Sequence, residues 1–134
     1  MSNNSYICEM LDQKVWAVVG ASPNCEKVSN HIFHMLSERG YEVYAVNPNY
    51  DELEPGIPCY HTIEDLPKVP DVVDFVVPPA VTLANLQKID PSLIKNVWFQ
   101  PGTSNAEVIA FAEEKGFNFV GDGSCVMVEL RARP

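Results

Sequence analysis

An α/β fold built on a mostly parallel sheet is what this sequence predicts, and three observations carry that prediction. Two short runs, Val15 to Val19 and Val72 to Val77, are rich in β-branched residues and nearly continuously apolar, as strands buried on both faces are. Between such runs, apolar residues recur at helical spacing. The two kinds of segment alternate along 134 residues with no linker, tandem repeat or charge block, and alternation of this kind places crossover helices on both faces of a parallel sheet. A chain of this length buries about two-thirds of its unfolded surface, enough to fold as one domain without a metal or disulfide.

The elements follow in order. Val15 to Val19 is a buried strand stopped by Gly20. Val28, Ile32, Met35 and Leu36 give a helix with Gly40 at its C-cap. Val43 to Val46 is a second strand that ends at Asn47 and Pro48, because Pro cannot extend the ladder. Ile57 to Tyr60 suits a short edge strand, and Thr62 with Asp65 resembles a capping box for one brief turn before Pro67. Val72 to Val77 is the next strand, and Leu83, Leu86 and Ile89 mark a helix that stops before Pro91. After a strand at Asn96 to Phe99, Ser104 and Glu107 read as a capping box. The helix it opens buries Val108, Ile109 and Ala112 and ends at Gly116. Phe117 to Val120 closes the series. Residues 1–14 are left as an N-terminal extension, and residues 15–134 make a Rossmann-like three-layer sandwich with five or six strands.

Composition removes several functions. Hydrophobic residues at 46% and charged residues at 20% exclude disordered and fibrous classes. Nine scattered Lys and Arg against eighteen acids give a formal charge of -9, which argues against nucleic acid and acidic membrane surfaces. The apolar runs are far shorter than the roughly 20 residues of a membrane span. Met1 to Met10 lacks the pattern of a signal peptide, so a cytoplasmic location is expected. Cys8, Cys25, Cys59 and Cys125 lie far apart without a C-x-x-C pair, which predicts free buried thiols and no zinc site. His31 and His34 share one side of a helix without an acidic cluster, and His61 decorates a loop. Cys125 has no sequence-local base. Neither a catalytic constellation nor a metal site is predicted.

In parallel sheets ligands bind beyond the carboxyl ends of the strands, where strand order reverses. The loop from Gly20 through Ala21, Ser22 and Pro23 to Lys27 and Ser29 is therefore a phosphate-loop candidate. Small residues let a ligand approach the main chain, and amides at a helix N-terminus attract an anion. The alternative is an ordinary turn capped by Ser22 or Asn24. The dinucleotide pattern G-x-G-x-x-G is broken, since Ser22 stands where the second Gly belongs. The second strand ends in Asn47 and Pro48 in place of the acid that holds a ribose. Pro78, Pro79 and Ala80 could pack against an adenine or a pantetheine chain, or simply stiffen a loop. Gln100, Pro101 and Gly102 form a third turn, in which Gln100 could bind a ligand amide or anchor the loop. The turn from Gly121 to Cys125 could close over a ligand or end the sheet.

Taken together, these residues resemble the small stand-alone CoA-binding proteins, which are similar to the nucleotide-binding domain of the succinyl-CoA synthetase α subunit. The resemblance runs from about Val15 to Glu129. Val19-Gly20-Ala21-Ser22-Pro23, with Lys27 and Ser29, matches the family's first loop, and Val46-Asn47-Pro48 matches its second signature. Trp98-Phe99-Gln100 with Gly102 matches the third loop, and Cys125 with Glu129 resembles the closing segment. Many stand-alone members carry Lys where this chain has Asn49 and an Arg pair where it has Val77 and Pro78, so phosphate-binding charge is reduced. The Pro-rich loop is more like that of the synthetase α subunit. Nothing matches the synthetase's phosphohistidine domain, so ligase activity does not carry over.

The resemblance implies non-catalytic binding of CoA or an acyl-CoA. The pyrophosphate would lie on Gly20, Ala21, Ser22, Pro23, Lys27 and Ser29, with Asn47 and Pro48 bordering the adenosine and Val77, Pro78, Gln100 and Gly102 lining the remaining groove. Two other readings stay open. One is a nicotinamide dinucleotide-binding oxidoreductase or redox sensor, favoured by fold alone. The other is a subunit of an acyl-CoA ligase, completed by a catalytic partner. The expected ligand is a small nucleotide, and the expected protein partner is a second copy of the chain or such a catalytic subunit.

Overall fold

The computed structural model describes residues 6–133. Its strands are β1 (Val15–Val19), β2 (Glu42–Val46), β3 (Glu52–Glu54), β4 (Ile57–Tyr60), β5 (Val72–Phe75), β6 (Asn96–Phe99) and β7 (Asn118–Val120). The helices are α1 (Ile7–Leu11), α2 (Val28–Glu38), α3 (Pro79–Leu86), α4 (Ala106–Lys115) and α5 (Val126–Arg131). One seven-stranded sheet runs in the order β3-β4-β2-β1-β5-β6-β7. Every pair is parallel except the β3–β4 hairpin. The three-layer α/β architecture is the expected one, with a seventh strand. The extra strand is β3, whose three residues Glu-Leu-Glu are too short and too acidic to announce a strand. It forms because Leu53 is buried, 2% exposed, against the core.

Alternation along the strands builds two separate cores. Trp16 and Val18 face one way and pack with Met10 of α1, Ile32 and Leu36 of α2 and Leu130 of α5. Ala17 and Val19 face the other way and pack with Leu86 of α3 and Val108 and Ala112 of α4. The sheet is thus covered on both sides, which explains why its strands read as continuous apolar runs. Trp16 and Trp98 stack at 6.1 Å between ring centroids on the first face. Their indole N–H groups donate to Gln13 O and Ser124 O, so neither large ring buries an unsatisfied donor.

Several local readings need correction. The α4 N-cap is Asn105, whose Oδ1 accepts from Val108 N at 2.9 Å, so the helix starts one residue late for a Ser104–Glu107 box. Thr62 opens only a 3₁₀ turn over Ile63–Asp65 and makes no side-chain cap, because Asp65 N bonds its carbonyl instead. β5 stops at Phe75: Val76 N makes a last bond to Val19 O before the chain turns into α3 at Pro79. That helix begins and ends earlier than its Leu83–Ile89 pattern suggests, since Pro79 suits a first helical turn. The four cysteines are free, but only Cys59 is buried; Cys8 and Cys25 are exposed and Cys125 is half-buried.

Candidate functional site

β1 has β2 on one side and β5 on the other, so the direction of winding reverses there. Val19 pairs with both Val46 and Phe75, which brings the three following loops to one edge. Gly20 N donates to Val46 O at 2.8 Å, and Asn47 Nδ2 donates to Ala21 O at 2.9 Å. The same Asn47 side chain accepts from Asn49 N at 2.9 Å, locking the loop after β2 to the loop after β1. Ser22 is buried; its Oγ accepts from Asn24 N and its carbonyl accepts from the buried Asn30 side chain at 2.8 Å.

These ties fix the start of α2. Its N-cap is Lys27, in extended conformation and with no side-chain cap, so neither Ser22 nor Asn24 caps this helix. The amides of Val28 and Ser29 lie too early in the helix for an intrahelical acceptor, and an uncapped first turn carries a partial positive charge that favours an anion. A cavity of about 380 Å³ opens at this point, lined by Gly20, Ser22, Lys27, Val28, Ser29, Asn47, Asn49, Tyr50 and Val76. Lys27 is the one cation on its wall.

A second, apolar groove of about 600 Å³ shares Val28 and Val76 with the first. Its walls are the loop from Val76 to Pro79, the turn from Gln100 to Thr103, and Cys125 and Met127 at the start of α5. The turn is closed by Thr103, which donates through both N and Oγ1 to Gln100 O. Gln100 is 3% exposed and its amide faces inward: Nε2 donates to Asp74 Oδ1 at 2.7 Å and Oε1 accepts from Val126 N at 3.3 Å. Asp74 is fully buried, and desolvation pushes its pKa well above the ordinary carboxylate range, which favours the protonated, neutral form.

Of the residues assigned from sequence, Gly20, Ser22, Lys27, Ser29 and Asn47 line the polar cavity, and Val77, Pro78, Gln100 and Gly102 line the apolar groove. Ala21, Pro23 and Pro48 line neither: Ala21 is fully buried beneath its loop, and the two prolines lie exposed in the loops that flank the cavity. Sequence reasoning missed Tyr50, Val76 and Met127. Tyr50, 39% exposed, is a large aromatic just past a strand end, and that position was the available signal. Among the described residues no group of His, Cys, Asp and Glu could hold a metal ion. His31 and His34 face out to Cys25 O and the Glu54 carboxylate. Another cavity, about 310 Å³, is lined by residues that lead into β5 and β6, such as Pro70 and Ile94, away from the carboxyl ends.

Comparison with known proteins identifies relatives of the whole fold. Over 125 residues the chain is 34% identical to an ADP-forming acetate–CoA ligase of Archaeoglobus fulgidus, a match that covers 86% of this chain and 18% of the ligase. The chain thus spans under a fifth of that relative. A conserved hypothetical protein from Pyrococcus furiosus is 44% identical, with a TM-score of 0.80 over 87% of this chain and 98% of that one. A hypothetical protein from Pyrococcus horikoshii is 37% identical, with a TM-score of 0.87 over 98% and 92%. The profile of the CoA binding domain matches residues 14–131. That span runs from the residue before β1 to the last residue of α5 and takes in the sheet and both cavities, so the chain belongs to the CoA binding domain family.

Proposed function

We propose that this protein binds CoA or an acyl-CoA without transforming it. The observation that carries the reading is the join between two unlike cavities. A polar one stands over the uncapped start of α2, and an apolar one continues from it past Val28 and Val76. A CoA molecule has that same division: an anionic nucleotide end and a long, weakly polar thiol-bearing arm. In this reading the pyrophosphate accepts from the α2 first-turn amides, Lys27 adds charge, and Tyr50 stacks on the adenine. The arm lies along Val77, Pro78 and Gly102 toward Cys125. Ala21 and Asn47 serve the site by shaping its loops, since their polar groups already bond each other. A nicotinamide dinucleotide suits the site less well, because Asn47 supplies an amide where the ribose would meet a carboxylate.

A thermal-shift comparison tests the reading. CoA at 100 times its dissociation constant should stabilise the fold by about 2.7 kcal/mol, a rise on the order of 5 °C for a domain of this size. NAD at the same millimolar concentration should give no shift. Equal or greater stabilisation by NAD would overturn the assignment.

A second reading, a subunit that completes an acyl-CoA ligase, is favoured by one observation: the chain matches a small part of a much longer ligase. Co-purification of a larger chain from the native source, with ligase activity in the complex and none in the isolated protein, would support it.

A further inference from the structure

The geometry points to Asp74 and Gln100 as positioning residues that hold the α5 wall of the apolar groove. They would thereby set affinity for the thiol-bearing arm of the ligand and leave the nucleotide end untouched. This rests on the CoA reading above.

Asp74 needs an explanation that folding alone does not supply. It sits in the middle of β5, paired with Val18 of β1 and Trp98 of β6, and is fully buried. Its Oδ2 has no hydrogen-bond partner among the described residues. A buried polar group left in that state is costly, and an apolar residue would fill a sheet centre at less cost. Among the described residues its side chain makes one hydrogen bond, accepting from Gln100 Nε2 at 2.7 Å. The orientation of that amide is not free: the Val126 amide is a donor, so it requires Oε1, which leaves Nε2 to face the carboxyl. Asp74 must therefore accept through Oδ1, and its proton belongs on Oδ2. Burial favours that protonated form.

The chain of contacts ends on the ligand side. Val126 is the first residue of α5, between Cys125 and Met127, the two α5-end residues on the groove wall. Among the described residues, side-chain hydrogen bonds tie the end of β6 to this segment at two points: Trp98 Nε1 donates to Ser124 O, and Gln100 Oε1 accepts from Val126 N. α5 has only six residues, and its N-cap, Cys125, makes no side-chain bond. The carboxyl thus reaches the groove through one amide and adds a polar tie at the start of α5, which Val126 and Leu130 anchor by packing in the core. None of the residues of the polar cavity touches Asp74 or Gln100 through a side-chain hydrogen bond.

Two ligands separate the ends of the site: CoA, and adenosine 5′-diphosphate, which lacks the arm. Asp74→Ala and Gln100→Leu are expected to weaken CoA about tenfold, the equivalent of about 1.4 kcal/mol. Their affinity for the diphosphate should stay within about twofold of wild type in calorimetric titrations. Asp74→Asn keeps the acceptor that Gln100 needs and should keep both affinities. Equal losses for the two ligands would mean a general structural effect, and unchanged CoA affinity in Gln100→Leu would mean that the α5 wall is held by other means. Either result overturns the inference while CoA binding stands. If Asp74→Ala does not fold, Gln100→Leu and Asp74→Asn still decide. A wild-type protein that does not bind CoA overturns the CoA reading itself, and this inference with it.

Discussion

Gly20 lies directly against the main chain of Val76: a Cβ built on the glycine would stand 2.5 Å from the Val76 carbonyl oxygen and 2.6 Å from Val77 Cγ1. The φ of Gly20 is 95°, in the left-handed region that favours glycine. The space in front of this glycine is therefore occupied by the β5 loop, and its missing side chain lets two loops of the site meet.

A substitution there should therefore act first on the fold. Gly20→Ala forces the Val76 carbonyl to move and strains the backbone, so it should cost stability first, by about 1–3 kcal/mol or more. A circular-dichroism melt should show a fall of several degrees before any ligand is added. A wild-type melting temperature would mean that the two loops yield freely.

The position of Gly20 shows what the sequence could and could not convey. A small residue after a buried strand announces a close approach, but the approaching group, Val76 O, lies 56 residues away and only the fold brings it there. The strands with strong apolar runs, β1, β5 and β6, were legible because burial on both faces needs uniform composition. β3, α1 and α5 were not, since three to six residues carry too little periodicity and owe their existence to packing: Leu53, Met10 and Leu130 are each buried in the core. The same limit hid Met127 on the groove wall. Gln100 was legible as part of a strand-end turn but its partner was not, because a lone Asp inside Val-Val-Asp-Phe gives no hint that it faces a glutamine just past the end of the neighbouring strand.

The buried carboxyl of Asp74 gives a signed pH dependence. Its native pKa is raised well above the ordinary value of 3.8 by desolvation. A group of this kind binds its proton more tightly in the native state, so its contribution is whole below about pH 3.8 and is lost as pH climbs toward the native pKa. The slope over that window is about 1.4 kcal/mol for each pH unit. Asn cannot ionise and lacks this loss. The stability of Asp74→Asn, measured by urea denaturation, should therefore gain on wild type between pH 4.5 and pH 7.5. Parallel pH profiles for the two proteins would show that the carboxyl ionises as easily in the fold as in the unfolded chain.

The distribution of charge around the two cavities makes a prediction about the ribose 3′-phosphate of CoA. Lys27 is the one Lys or Arg on either wall, and it stands at the N-cap of α2, beside the amides proposed to hold the pyrophosphate. Asn49 and Tyr50, which border the other side of the polar cavity, bring no positive charge. A charged hydrogen bond contributes about 1.5–3 kcal/mol, which corresponds to a factor of about 10–100 in affinity. Without a cation on that side, CoA should be preferred over dephospho-CoA by less than about tenfold. The preference should also change little between low and high salt, because an exposed phosphate far from a fixed charge has little Coulomb attraction for salt to screen. Lys27→Ala supplies the contrast: if Lys27 serves the pyrophosphate, its loss should weaken both ligands by a similar factor and leave their ratio unchanged. Competition titrations of the two ligands at two salt concentrations read all of this at once. A large, salt-sensitive preference for CoA that disappears in Lys27→Ala would move the Lys27 side chain from the pyrophosphate to the 3′-phosphate and reverse the proposed direction of the adenosine in the cavity.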